Sequence, residues 1–223
     1  MAISSQPARE LGIQPVPQGA AATERQMMVY WRKKAVRYRF LLAPFVLYAP
    51  PALAFCLWTW SERTLARAMV PLLLVLGVVC WTLMEYLLHR FLLHLHVQSP
   101  TLQSVIEKLH LGHHRDPTDE AIMTVPVFAS LPIAMALLGL FRLLAGSWEG
   151  SGLLMAGTIA GYLAYEAVHF RIHCGSKPGR VLRFQRAAHF FHHYKDPTRC
   201  FGVTSPLWDW ICGTRRSKLT ARV

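Results

Sequence analysis

Ten of the eleven histidines in this chain fall into two copies of one pattern, and each copy begins where a long apolar run ends. His89 and His94 close the second run and are followed by His110, His113 and His114. His169 and His173 close the fourth run and are followed by His189, His192 and His193. An offset of 79 residues carries His94, His110, His113 and His114 onto His173, His189, His192 and His193, and Asp-Pro-Thr follows each HxxHH, from Asp116 and from Asp196. The register reads as an internal duplication: an apolar helix, a histidine pair, a short link, and an HxxHH helix stopped by proline. On a helix, positions i, i+3 and i+4 share a face, so His169 with His173, and each HxxHH, presents grouped imidazoles. A lone histidine is usually a surface or hydrogen-bonded core residue, but two HxxHH groups in matched register have metal-ligand spacing. Only His96 stands outside the pattern.

The apolar runs, from Phe40 to Trp60, Val70 to Leu88, Ala121 to Leu140 and Leu153 to Val168, decide the class. About 20 helical residues cross a bilayer core, so the first three suffice and the fourth reaches that length by extending into its histidines. Pro50-Pro51 is expected to kink or split the first run. Four such runs are too many for buried core helices in a chain of 223 residues that is 53% hydrophobic. The expectation is an all-α integral membrane protein of about four transmembrane helices, with a helical cap on the cytosolic side.

A formal charge of +12 would suggest nucleic acid in a soluble protein, but in a membrane protein it records topology and implies no nucleic-acid partner. With both termini and the central loop on one side, Lys and Arg number 21 there against 2 in the links 61–69 and 145–152, Arg142 being left out. The positive-inside rule then puts the termini and every histidine cluster in the cytosol, at the cytoplasmic membrane of a bacterium or the endoplasmic reticulum of a eukaryote. Residues 1–22 read as a disordered tail and not a signal peptide. Residues 23–39, with a capping box at Thr23 and Gln26, read as a basic segment, lying on headgroups or merely solvated. Residues 40–213 form the membrane domain, and 214–223 a basic tail. The five cysteines show no CxxC and suggest neither a disulfide framework nor a thiolate metal site.

Ten imidazoles exceed the needs of one metal, which points to a two-metal site whose chemistry, redox or hydrolytic, the spacing leaves open. Glu85 lies four residues before His89 and Glu166 three before His169, each on the face of the histidine it precedes. Carboxylates at membrane depth are costly unless paired, and ligating histidines commonly give their second ring N–H to such a partner. Direct ligation of the metal and a purely structural interhelical bond are the alternatives. Arg180, Arg183 and Arg186 suit a lipid headgroup or a solvated stripe, and Trp208 and Trp210 suit an interfacial anchor or plain packing.

The two histidine pairs and two HxxHH groups resemble the fatty acid hydroxylase superfamily of membrane di-metal enzymes, and within it the fatty acid 2-hydroxylase branch. The segments MEYLLHRFLLH, HHRDPTDEAIMTVPVFASL, HCGSKPG and FGVTSPLWDW carry the likeness, which covers roughly residues 70–213. The resemblance implies that His89, His94, His110, His113, His114, His169, His173, His189, His192 and His193 hold two metal ions over the membrane. Iron is the expected metal, with zinc a possible occupant because it stands above iron in affinity. It further implies dioxygen as co-substrate and a hydroxyl inserted at C2 of a fatty acyl chain, free or amide-linked in a ceramide-like lipid. Eukaryotic 2-hydroxylases carry an N-terminal cytochrome b5-like domain that finds no match here. A separate electron donor is therefore expected, a ferredoxin or a cytochrome b5-like protein. Sterol C-4 or C-5 oxidases and carotenoid hydroxylases are the alternatives within the superfamily, and a metal transporter the alternative outside it.

Overall fold

The computed structural model describes residues 24–62, 65, 67–117, 119, 122–174 and 179–216, with side chains from residue 41 onward apart from Glu62. Residues 1–22, Thr23 of the capping box and 217–223 of the basic tail lie outside the described residues. All regular structure described is helical. The long helices are α1 (Glu24–Glu62), α2 (Met69–Leu87), α5 (Val127–Ala145), α6 (Trp148–Cys174) and α7 (Arg180–Tyr194). Three short ones, α3 (Pro100–Ile106), α4 (Gly112–Arg115) and α8 (Leu207–Ile211), complete the set.

The first apolar run does not split. α1 is one helix of 39 residues that runs through Pro44, Pro50 and Pro51. Proline removes a backbone bond wherever it sits in a helix, but helices beside other helices tolerate the loss because neighbouring groups satisfy the freed carbonyls.

Three described helices are long and apolar enough to cross a membrane: Leu41–Ser61, Met69–Leu93 and Val127–Ala145. The fourth apolar run lies in α6, which at 27 residues is about 40 Å long. α6 packs against α1, α2 and α5 and so has little need of a lipid-facing apolar surface, which is why its sequence has room for the buried Glu166.

Glycines set the closest of these contacts. A Cβ on Gly157 would sit 2.1 Å from the Leu74 carbonyl oxygen, and one on Gly77 would sit 2.2 Å from the Leu154 oxygen. Small residues let the two backbones touch, and Thr158 Oγ1 adds a hydrogen bond to the Gly77 carbonyl at 3.2 Å. Gly161 makes similar room for Trp81, and Gly152 for Phe55 of α1. Tyr48 joins α1 to α5 through Ser130 (2.7 Å) and meets Tyr162 edge-on, with ring centroids 5.7 Å apart. This packing fixes α2, which ends in the first histidine pair, against α6, which ends in the second.

The cap is built from α3, α4, α7, α8 and the turns between them. α4 stops at Arg115 before Asp116-Pro117, and α7 at Tyr194 before Asp196-Pro197. Proline offers no N–H to the carbonyls of the preceding turn and disfavours the helical conformation in the residue before it. The two stops therefore fall at matching points of the duplicated pattern.

Candidate metal centre

The ten histidines of the pattern converge in two groups of five. One holds His89, His94, His110, His114 and His192, and the other His113, His169, His173, His189 and His193. Within each group the ligand atoms lie within 4.8 Å of one another. His96 is exposed and belongs to neither. The groups do not follow the two sequence copies: the first copy lends His113 to the second group, and the second copy returns the equivalent His192 to the first. His114 and His193, likewise equivalent, stack face to face with centroids 4.1 Å apart and planes 8° apart.

Helix geometry explains how each pair converges. His169 and His173 are four apart on the α-helix α6, where one face carries both. His89 and His94 are five apart, a spacing that an ordinary helix turns away from one face. Here α2 widens into a π-helical turn over Leu88–Leu93, and a second such turn over Glu107–Leu111 leads into α4. A π-turn repeats every i+5, which returns His94 to the face of His89. Their ring centroids are 5.2 Å apart.

The spacing of ligand atoms fits metal ions. In the first group, Nε2 to Nε2 distances are 2.9 Å for His89–His110 and 3.0 Å for His110–His114 and His94–His192. In the second they are 3.0 Å for His169–His113, His173–His189 and His189–His193, and 3.2 Å for His113–His173. Two nitrogens each about 2.1 Å from one ion, and at right angles to each other, stand about 3.0 Å apart. With the ring hydrogen on Nδ1, each Nε2 presents a lone pair, and five converging lone pairs repel unless a cation lies among them.

Burial and neighbouring imidazoles keep the cap histidines neutral. Burial, aided by His96, lowers His94 to about 4. Burial lowers His114 to about 3, helped by His192 and His94, and lowers His192 to about 4, helped by His94. His110, His113, His189 and His193 are driven down further by burial and then by the histidines beside them. All are therefore unprotonated near neutral pH, as metal ligation requires.

The surroundings of the two groups differ. His89 donates from Nδ1 to the Phe201 carbonyl (2.5 Å) and His192 to the Arg199 carbonyl (2.8 Å), which commits both Nε2 atoms to the interior. Both carbonyls belong to a strap, residues 199–214, that lies along α2. Between them Cys200 has φ 59, a left-handed conformation costing a residue with a Cβ about 1–2 kcal/mol. Glu85, placed by sequence beside His89, acts through this strap: its carboxylate accepts the N–H of Val203 (2.5 Å), the N–H of Thr204 (2.9 Å) and the Thr204 hydroxyl. Glu166 Oε1 accepts the Val125 N–H at 3.0 Å. The Nδ1 atoms of His113, His189 and His193 are buried without a hydrogen-bond partner.

Sequence reasoning missed Asp209. Its carboxylate accepts the N–H of Phe201 (2.9 Å), the N–H of Gly202 (2.7 Å) and the Thr214 hydroxyl (2.7 Å), which folds the strap onto itself. The available signal was an acid in an otherwise apolar LWDWI, since such a group must be fully paired to be tolerated. Tyr86, bonded to Thr214 at 3.1 Å, was missed as well.

A helical bundle with membrane-length apolar helices, carrying two five-imidazole cradles beneath a helical cap, defines a class: membrane metalloenzymes of the histidine-box kind. Residues 74–214 match the fatty acid hydroxylase family, and the chain belongs to that family. A dihydroceramide fatty acyl 2-hydroxylase of Arabidopsis thaliana is 30% identical over 164 residues, 74% of this chain and 69% of that protein. The fatty acid 2-hydroxylase of Homo sapiens is 34% identical over 160 residues, 69% of this chain but 42% of that protein. The chain thus spans less than half of this longer relative. Among solved structures, the hydroxylase domain of scs7p superposes with a TM-score of 0.73 at 28% identity, covering 79% of this chain and 67% of that one.

Proposed function

We propose that this chain inserts a hydroxyl at C2 of a fatty acyl chain, free or amide-linked in a ceramide-like lipid, using two metal ions, iron expected, and dioxygen. The observation that carries the reading is the pair of five-histidine cradles set at the ends of apolar helices and not at their midpoints. Transporters place ligands near the bilayer midplane on broken helices, so the position disfavours transport. The family supports a hydroxylase, and the names of the relatives support C2 as the position.

When bound, the metals supply oxygen activation: one dioxygen, two electrons and two protons turn a C–H bond into an alcohol and release water. The chain's own residues hold, orient and exclude. His89, His94, His110, His114 and His192 hold one ion, and His113, His169, His173, His189 and His193 the other. Beside them lies an apolar cavity of about 60 Å³ bordered by His110, His113, His169, Leu92 and Tyr165. It shares Leu88, Val125 and Ile133 with a second apolar cavity of about 80 Å³ that reaches Tyr48 and Trp81 between the helices. A path of this chemistry suits an alkyl chain and keeps water from the reacting carbon.

The orientation follows the charge asymmetry, with the cap cytosolic. Exposed Arg180, Arg183 and Lys195 give the cap basic charge that steers an acidic electron carrier, a ferredoxin or cytochrome b5-like partner. Turnover at limiting carrier should then fall steeply as salt shortens the Debye length from about 10 Å at 0.1 M to about 3 Å at 1 M. Turnover with a small uncharged reductant should not, and an equal response of both rejects the steering. Lipid mass spectrometry on a host with and without the gene tests the reaction. A gain of one oxygen at C2 is the expected result, and unchanged lipids would overturn the reading.

A further inference from the structure

We propose that α8 and the chain beside it, Leu207–Cys212, form a wedge seated among the acyl chains of the cytosolic leaflet on the outer face of α2. The proposal rests on the reading that α2 crosses a bilayer.

The strap is tied to α2 at three levels: Trp208 Nε1 donates to Thr82 Oγ1 at 3.0 Å, Glu85 accepts the N–H groups of Val203 and Thr204, and Tyr86 bonds Thr214. Thr82, Glu85 and Tyr86 all lie inside the apolar stretch Met69–Leu93. Counting back from Leu88, the last residue before His89 and Arg90, Thr82 is six residues inward, about 9 Å along the helix. Helices that lie in the membrane interface bury their apolar face about 5–10 Å deep.

α8 also turns its apolar side outward. Its exposed residues are Leu207 (42%), Trp210 (64%) and Ile211 (56%), while its one acid, Asp209, is 2% exposed and spends its carboxylate on the strap. A helix solvated by water arranges itself the other way, polar side out. This apolar face adjoins α2, whose own outer surface exposes Val75, Val78 and Val79. Arg215, exposed at the end of the strap, suits the anionic headgroup level just above. Because the same strap brings the Arg199 and Phe201 carbonyls to His192 and His89, lipid around α8 steadies the outer partners of the first cradle.

The test uses the full chain in bilayer nanodiscs of phosphatidylcholine and phosphatidylglycerol. A photoreactive benzoylphenylalanine replaces Ile211 in one preparation and Val75, on the outer face of α2, in another. After irradiation, mass spectrometry should find both positions joined to acyl-chain carbons, with the Ile211 adducts closer to the ester end. Acyl adducts at Val75 without any at Ile211 overturn the wedge, as does capture of a second copy of this chain at Ile211 in place of lipid. If neither position meets lipid, the crossing of α2 fails and the wedge falls with it.

Discussion

The two cradles have the same number of imidazoles, the same source pattern and exchanged members, yet their supports differ. The first has two of its rings locked from outside by backbone carbonyls of a strap that Glu85 and Asp209 hold in place. The second has three buried Nδ1 atoms, those of His113, His189 and His193, with no hydrogen-bond partner, and takes most of its ring positions from helix packing. A duplicated sequence has therefore produced two sites of unequal rigidity. Outer partners of ligating histidines raise ligand basicity and fix the tautomer, so the first cradle should bind metal more tightly and exchange it more slowly.

The exchange of His113 and His192 offers the strongest way to break this comparison. If each cradle includes the other copy's histidine, His113→Ala should empty the second cradle and spare the first, and His192→Ala should do the reverse. Each variant should retain about one metal of two and lose activity by more than the roughly 100-fold that removal of an outer partner costs. Elemental analysis of the purified protein decides it. Loss of both metals from either variant would show that the cradles fill as a unit.

A smaller effect sharpens the contrast in support. Glu85→Leu takes away the acceptor of the Val203 and Thr204 N–H groups and of the Thr204 hydroxyl, so part of the strap is released. The first cradle should then bind metal about 10 to 100-fold more weakly, with the second unchanged. Glu166→Gln keeps an oxygen for the Val125 N–H and should alter metal affinity little at either cradle. Competitive chelator titration of both variants checks the pair, and an equal loss in the two would end the asymmetry.

The register of the ten histidines, the apolar runs and the proline stops were all legible because each depends on local spacing. The partition was not: that His113 joins His169 and His173 depends on how α4 crosses the end of α6, which no periodicity encodes. The i+5 spacing of His89 and His94 was equally opaque, since it acquires meaning only when the helix widens into a π-turn. Glu85 was expected to take the second ring N–H of His89, whereas that N–H goes to the Phe201 carbonyl and Glu85 accepts from the backbone of Val203 and Thr204, a long-range pairing that no local spacing encodes. Asp209 lies within LWDWI, but nothing in local spacing encodes the strap backbone that folds around its carboxylate. The count of four apolar runs treated α6 like the others, although its glycines and acids mark it as a helix shielded by three neighbours.

The finest test concerns Cys200. Its left-handed backbone turns the chain so that the carbonyls on either side of it reach two different histidines. Glycine adopts that conformation freely, whereas a β-branched residue resists it more than cysteine does. Cys200→Gly should therefore leave the first cradle's affinity within about 2-fold, and Cys200→Val should weaken it by about 10-fold, in the range expected for a disturbed outer partner. Neither should affect the second cradle, to which the strap presents no carbonyl. If valine and glycine give the same affinity at the first cradle, its histidines do not depend on the turn at Cys200. The rigidity of that cradle would then have to come from the π-turn beneath His89 and His94.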